Sequence, residues 1–461
     1  MNADRARGAG AVRSPSTATF LSFLWPGLGQ WYLGRNRLAL VYGLPVVAVA
    51  LAALWQLNGG LADLAIQLFA PSFSLTVLVL IVLLGVWRLI SMADAFTAAP
   101  LRTKSSRRPT TLFAVLALLA VIGHAAAGFY AWSFYQAGSK MFVAGLGGDF
   151  NSVAPGASGS GTSGDLVAKP GATPATADSR INILLTGVDS SVGRNHALND
   201  TIIVASVDPK SRHVVMLSFP RDIAGFPLWN GGTFSGKINS LMTYAGLHKD
   251  QFPDGPLPSL IKELGYLLGV PIHYYAAVDL DGFRTLIDKV GGIDINNPRA
   301  IDDPDYGGWT DGRPLGFSLS AGVHHLDGQS ALAYARSRKG NGDNDFTRAR
   351  RQQQLLVALA RKLTDPSMLT RLPDLLAAAS QTVRTNFPAD RLSEMLSLSR
   401  QVKDDAIQKY VLGPPYALRS TDATTYSLKL DLAKLSALSI KLFGADSRYA
   451  ANAPASPSKS P

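Results

Sequence analysis

The sequence predicts an α/β domain, of layered α-β-α type and extracytoplasmic, tethered to an N-terminal helical membrane region. Three observations predict it. Three apolar stretches of about 20 residues, the length a helix needs to cross a bilayer, fall before residue 144. A run rich in Gly, Ser, Pro and Ala, residues 145–179, follows them and reads as a flexible linker. Beyond it, strand-like and helix-like patterns interleave over residues 180–445, which argues for sheet and helix layers in one domain. Residues 446–461 read as a disordered tail.

The membrane spans are expected at about 38–57, 73–93 and 111–132. Residues 1–110 hold ten Lys/Arg against three Asp, which is +7 of the chain's +11. Nine of these basic residues lie before the first stretch or in 94–110, Arg88 lies within the second stretch, and Asn58–Ser72 has none. By the positive-inside rule the N-terminus is cytoplasmic and everything after Trp132 is outside. The charge therefore belongs to the membrane region, and no nucleic-acid partner is expected. The shorter run Phe20–Leu33 reads as interfacial or re-entrant. Its Phe23–Arg37 portion resembles the start of a small two-helix membrane motif of varied bacterial proteins. His124, inside the third stretch, reads as a neutral histidine hydrogen-bonded to a neighbouring helix. Cysteine is absent, so no disulfide or thiol ligand exists.

Within the domain, Ile181–Val188, Thr201–Val207, His213–Phe219, Tyr274–Val278 and Gln408–Leu412 read as strands. Leu257–Leu268, Gly282–Val290, Gln329–Arg336, Thr347–Leu363, Asp374–Val383 and Ala389–Val402 have helical spacing. Asp327 and Asp390 are expected to cap the helices that follow them. Acidic residues fall at strand ends: Asp189 after the first, Asp200 before the second, and Asp222 beside Arg221 after the third. Hard divalent cations such as magnesium take carboxylate oxygens together with substrate phosphates. The densest charge lies between Leu332 and Gln354, where Arg336, Arg338, Lys339, Arg348, Arg350 and Arg351 surround Asp343 and Asp345. Arginine forks match phosphate oxygens two at a time, so the stretch suits a polyanion; the competing reading is a solvated, salt-bridged helix start. No zinc-site pattern, Walker loop or Gly-x-Ser-x-Gly elbow appears.

Eight runs in order carry a resemblance. They are Asn182–Asp189, Asn199–Ile203, Leu217–Asp222, Lys237–Gly246, His273–Phe283, Leu286–Asp294, Leu326–Arg336 and Asp345–Gln353. Together they resemble the catalytic domain of the LytR–CpsA–Psr family of cell-wall glycopolymer ligases. The resemblance implies a phosphotransferase that moves a glycopolymer from a polyprenyl-diphosphate carrier to peptidoglycan, or another wall acceptor, as a phosphodiester. It implies magnesium at Asp189 and Asp200, and a diphosphate facing Arg221, Arg336, Arg338, Arg348 and Arg351. Asp345 and Gln352 would order those arginines. Asp222 joins the catalytic candidates beside Arg221, and Lys237 and Asn239 join as substrate-binding candidates. One position departs from the pattern: many members carry Arg where this chain has Leu198. Arg194 is the candidate to replace it. The lipid tail would need an apolar channel, with the helices at 257–268 and 282–290 as candidate walls. Two other readings stay open, a hydrolase acting on the same lipid diphosphate and a non-catalytic module that binds lipid-linked or wall glycan.

Overall fold

The computed structural model describes residues 13–99, 109–142, 180–189, 198–307, 316–340, 342–365, 367–368, 375, 378–380, 382–421 and 425–452. The expected linker and Arg194 lie outside them. The chain forms two compact units, residues 1–138 and 139–461.

The first unit is helical: α1 (Pro15–Leu24), α2 (Leu28–Tyr32), α3 (Asn36–Gln56), α4 (Leu61–Gln67), α5 (Pro71–Ala98) and α6 (Thr110–Met141). Three of these, α3, α5 and α6, are long and apolar enough to cross a membrane. The Phe20–Leu33 stretch is broken at Trp25–Gly27 into helices of 10 and 5 residues, and at ~1.5 Å per residue neither spans a bilayer. The pair is pinned by a buried polar network. Gln30 Nε2 donates to the Ser91 carbonyl at 2.8 Å and to Asp94 Oδ2 at 3.0 Å, and Arg35 Nη1 reaches the same carboxylate at 2.8 Å. Gly29 permits this approach, since a Cβ there would lie 2.2 Å from the Ala18 carbonyl oxygen. His124 bonds within its own helix, Nδ1 to the Ala120 carbonyl at 2.7 Å, rather than across to a neighbour.

The second unit is a mixed α/β domain. Its main sheet runs in the order β11–β6–β1–β2–β3–β12. The members are β1 (Ile181–Asp189), β2 (Leu198–Asp208), β3 (His213–Ser218), β6 (Tyr274–Asp279), β11 (Val383–Thr385) and β12 (Ile407–Val411). β1–β2–β3 are antiparallel neighbours, while β6 is parallel to β1 and β12 to β3. Consecutive residues Ile202–Val207 of β2 are all buried, so both faces of this strand are covered. Four hairpins or strand pairs lie outside the main sheet. They are β4 (Ala224–Pro227) with β5 (Thr233–Lys237), β7 (Ile293–Asn297) with β10 (Gly322–Leu326), β8 (Ile301–Asp303) with β9 (Phe317–Leu319), and β13 (Ala417–Arg419) with β14 (Leu428–Leu430).

The helices are α7 (Leu241–Leu247), α8 (Pro256–Leu268), α9 (Leu280–Lys289), α10 (Gly328–Arg336), α11 (Asp345–Thr364), α12 (Leu392–Gln401) and α13 (Leu432–Phe443). Leu260, Leu264 and Leu267 of α8 recur at helical spacing and pack with Leu184, Val204 and Leu217 of the sheet. Burying each contributes roughly 1.5–3 kcal/mol. Leu286 and Ile287 of α9 pack instead with Tyr334 of α10 and Leu355 of α11. The faces expected to wall a lipid channel are thus packed into two apolar clusters.

Local details differ from expectation where tertiary pairing overrides helical spacing. Val383 belongs to β11, not to the end of a helix, because Val383–Thr385 hydrogen-bonds to the edge of β6. Asp327 caps α10 as expected, accepting from Ser330 N–H at 2.8 Å. Asp390 does not cap α12, whose N-cap is Arg391 and which follows a short 3-10 turn at Ala389–Arg391. Residues 446–452 are not tail. Arg448 N–H donates to the Gly269 carbonyl at 2.8 Å and its guanidinium stacks 4.4 Å from the Tyr266 ring centroid.

Candidate active site

Strand direction gathers the chemistry at one end of the main sheet. β1, β3, β6 and β12 finish there and β2 begins there. Asp189 closes β1 opposite Leu198 of β2. The register slips between Gly187 and Val188, which pair with Thr201 and Asn199, so Asp200 is the extra residue of a bulge. Three residues beyond the last ladder bond of β3 comes Asp222, buried at 4% exposure.

Asp222 is the centre of a charged cluster. Lys237 Nζ, delivered by the end of β5, donates to Asp222 Oδ1 in a short contact. Arg221 Nε lies 3.8 Å from Asp222 Oδ2. Asp345, the first residue of α11, stands close enough to Asp222 for the two carboxyls to act on each other. Arg348, one turn further on, brings Nη2 to 3.1 Å from Asp345 Oδ1. Burial and the neighbouring Asp222 push the Asp345 carboxyl up to about 6, against the pull of Arg348. Burial also raises Asp222, but Asp345 and then the bond and charge of Lys237 outweigh it, and Asp222 ends below the usual carboxylate range. Two carboxyls this close resist ionising together, so Asp345 keeps its proton to a higher pH than Asp222 and releases it at about 6.

Asp345, expected just ahead of a helix at Thr347–Leu363, is instead the first residue of α11 because the local fold is strongly specified. Asn344 caps α11, accepting from Phe346 N–H at 3.0 Å and Thr347 N–H at 2.9 Å, while Thr347 Oγ1 accepts from Asn344 N–H at 2.9 Å. That reciprocal box fixes the helix start. Gly413, just after β12, lets the Phe346 ring close in; a Cβ there would sit 2.7 Å from it.

The other arginines divide into two groups. Arg351 is buried and braced: Nη1 donates to Asp343 at 2.8 Å, Nη2 to the Ser337 carbonyl, and the guanidinium lies 5.5 Å from the Tyr334 ring centroid. Gln352 donates to the Ala335 carbonyl at 3.2 Å. Both therefore hold the turn after α10 in place. Arg336 is half-buried and Arg338 is exposed at that turn. The turn has a further anchor that sequence reasoning did not single out. Asp303 Oδ2 accepts from Ser337 Oγ at 2.8 Å and from the Arg338 and Lys339 N–H groups at 3.1 Å each. Nothing in Ile301-Asp-Asp distinguishes that residue from an ordinary turn acid. Asn239 is nearly buried, and its N–H donates to the Arg221 carbonyl at 3.4 Å, on the same side as Lys237.

For magnesium, the donor set is one of hard carboxylate oxygens. Among the described residues no three His, Cys, Asp or Glu form a cage.

A profile of the LytR_cpsA_psr family matches residues 160–443, more than half of the chain. The chain belongs to that family. The polyisoprenyl-teichoic acid–peptidoglycan teichoic acid transferase TagU of Bacillus mycoides is 30% identical over 215 residues, 47% of this chain and 63% of that protein. The transferase TagV of Bacillus subtilis is 32% identical over 220 residues, 48% of this chain and 52% of that protein. The chain thus spans about half to two-thirds of the length of these relatives. The crystal structure of B. subtilis TagV matches with a TM-score of 0.47 and 26% identity, over 60% of this chain and 100% of that one. The family position that often carries Arg is occupied here by Leu198, paired across the ladder with Asp189.

Proposed function

We propose that this chain transfers a glycopolymer from a polyprenyl-diphosphate carrier to peptidoglycan, or to another wall acceptor, as a phosphodiester. The observation that carries this reading is the Asp222–Asp345 carboxyl pair, braced by Lys237, Arg221 and Arg348 at the sheet end. Phosphoryl transfer asks a protein mainly for positioning and charge neutralisation. In this reading the acceptor hydroxyl oxygen attacks the phosphorus on the glycan side of the diphosphate. The bond from that phosphorus to the bridging oxygen breaks, and polyprenyl phosphate leaves. The hydroxyl proton passes to Asp345, whose value of about 6 suits a base working near neutrality. Asp222 keeps Asp345 poised, and Lys237 holds Asp222. Arg221, Arg336, Arg338 and Arg348 face the diphosphate oxygens. Magnesium, held by Asp189 and Asp200, would neutralise diphosphate charge.

The three apolar helices and the bias of Lys and Arg support a multi-pass anchor with the domain outside. The burial of β2 on both faces supports the layered α-β-α reading. The full chain in detergent, given a synthetic polyprenyl-diphosphate sugar, tests the function. Release of polyprenyl phosphate only when peptidoglycan fragments and magnesium are present is expected, with Asp200→Ala losing the magnesium response. Equal release without acceptor would make it a hydrolase, and binding without turnover a non-catalytic module.

A further inference from the structure

The β13–β14 hairpin brings an aromatic ring to the edge of the carboxyl pair. Leu428 N–H of β14 donates to the Asp222 carbonyl at 2.8 Å, and Leu428 also bridges to Ile223. Ser420 N–H donates to the Ser427 carbonyl at 3.0 Å, so the hairpin pairing continues past the strand ends. Tyr426, two residues before Leu428, therefore stays at the edge of Asp222, and while the Leu428 side chain is buried in the core the Tyr426 ring is open to solvent. The Tyr426 ring is 44% exposed, and Arg419 Cζ lies 5.7 Å from its centroid. The charges of Asp345 and Asp222 both reach the Tyr426 phenol, which burial first and these carboxylates next push upward.

We infer that Tyr426, flanked by Arg419, is a saccharide subsite that seats a sugar ring of the acceptor glycan against the carboxyl pair. The inference rests on Asp345 as the proton acceptor of the proposed transfer. Only the acceptor gives up a proton, so its hydroxyl, and the sugar that bears it, must lie beside Asp345. Tyr426 is the half-exposed ring at that place. A tyrosine offers a rigid apolar face and a polar tip at small entropic cost, which suits a pyranose with C–H faces and hydroxyl edges. Arg419 adds donors for an N-acetyl carbonyl or a carboxylate. A polyprenyl chain, in contrast, needs an enclosed apolar wall, and a half-open ring beside a guanidinium and two carboxyls does not supply one.

The test uses the full chain in detergent micelles as wild type, Tyr426→Ala and Tyr426→Trp, each checked for an unchanged thermal midpoint. Two readouts are taken. One is calorimetric binding of an N-acetylglucosamine–N-acetylmuramic acid tetrasaccharide without donor. The other is transfer kinetics with polyprenyl-diphosphate-linked N-acetylglucosamine. Tyr426→Ala should weaken tetrasaccharide binding roughly tenfold, ~1.4 kcal/mol. It should raise the acceptor KM alike with the donor KM unmoved, and Tyr426→Trp should restore both. Unchanged tetrasaccharide binding in Tyr426→Ala, or no binding by the wild type, overturns the subsite. A rise confined to the donor KM assigns the ring to the donor's sugar and also overturns it. A wild type that binds the tetrasaccharide through Tyr426 but transfers nothing sinks the transferase reading and leaves the subsite standing.

Discussion

Glu263 shows how much one buried group can say. It is fully buried on α8, its Oε2 accepts from the Trp229 N–H at 3.1 Å, and its Oε1 has no hydrogen-bond partner among the described residues. Burial pushes its carboxyl up to about 8 against that one hydrogen bond. The folded state therefore holds a proton that the unfolded chain releases near 4.5, the ordinary value of a glutamate carboxyl. Any stability from this proton is fully present below that value and is lost as pH rises towards about 8. The loss is on the order of a few kcal/mol, and Glu263→Gln should remove that part of the slope. Thermal midpoints across this range check it; an identical slope in the variant would place its source elsewhere. The arginines of the site should also separate. Arg338 is exposed, so Arg338→Ala should cut transfer by roughly tenfold to a hundredfold with the midpoint unchanged, from charge-assisted bonds of ~1.5–3 kcal/mol. Arg348 is buried against Asp345 and lowers that carboxyl. Arg348→Ala should move the acid limb of the pH–rate profile upward from about 6. An unmoved limb would dissociate Arg348 from the base.

Among the elements, α11 carries both charge and register. Its start is set by Asn344, whose carboxamide oxygen takes two helix N–H groups. Asn344→Ala should cost about 1 kcal/mol. It should also lower transfer more than that stability loss explains, because Asp345 and Arg348 lie in the first turn; a variant with full activity would show that the cap is dispensable for the site. This element was legible in sequence because charge and helical period coincide within a few residues. The long strands were legible too, since Ile202–Ala205 is a continuous apolar run. The short pairs were not. β13 and β14 have three residues each, too few for an alternation to register, and they hold their place through Leu428 and Asp222, 206 positions apart in the chain. Arg351 shows the same limit from the other side. Its helical spacing from Arg348 suggested a shared ligand, yet Asp343, Ser337 and Tyr334 take it up within the protein. Spacing gives the face of a helix, and only tertiary structure gives what stands opposite.

At the scale of the whole molecule, the proposed chemistry depends on which side of a membrane the α/β domain occupies. Each of α3, α5 and α6 can cross, and an odd number of crossings separates the two ends of the chain. α1 and α2 cannot add a fourth crossing, because Gly27, at φ 100°, breaks them and Gln30 ties them to Ser91 and Asp94 of α5. In the proposed multi-pass reading, the orientation follows from charge alone. Arg13, Arg35 and Arg37 precede or begin α3, and Arg102, Lys104, Arg107 and Arg108 separate α5 from α6, while Asn58–Ser72 has no Lys or Arg. Such segments are retained on the cytoplasmic side. A reporter active only outside the membrane, fused after Lys140, should therefore be active, and the same reporter fused near Ser105 should be silent. Substituting Arg102, Lys104, Arg107 and Arg108 by neutral residues should lower the signal after Lys140, since it removes the bias that holds the loop inside. Reversed reporters would put the domain in the cytoplasm, where no peptidoglycan acceptor lies, and transfer to the wall would fall with the topology.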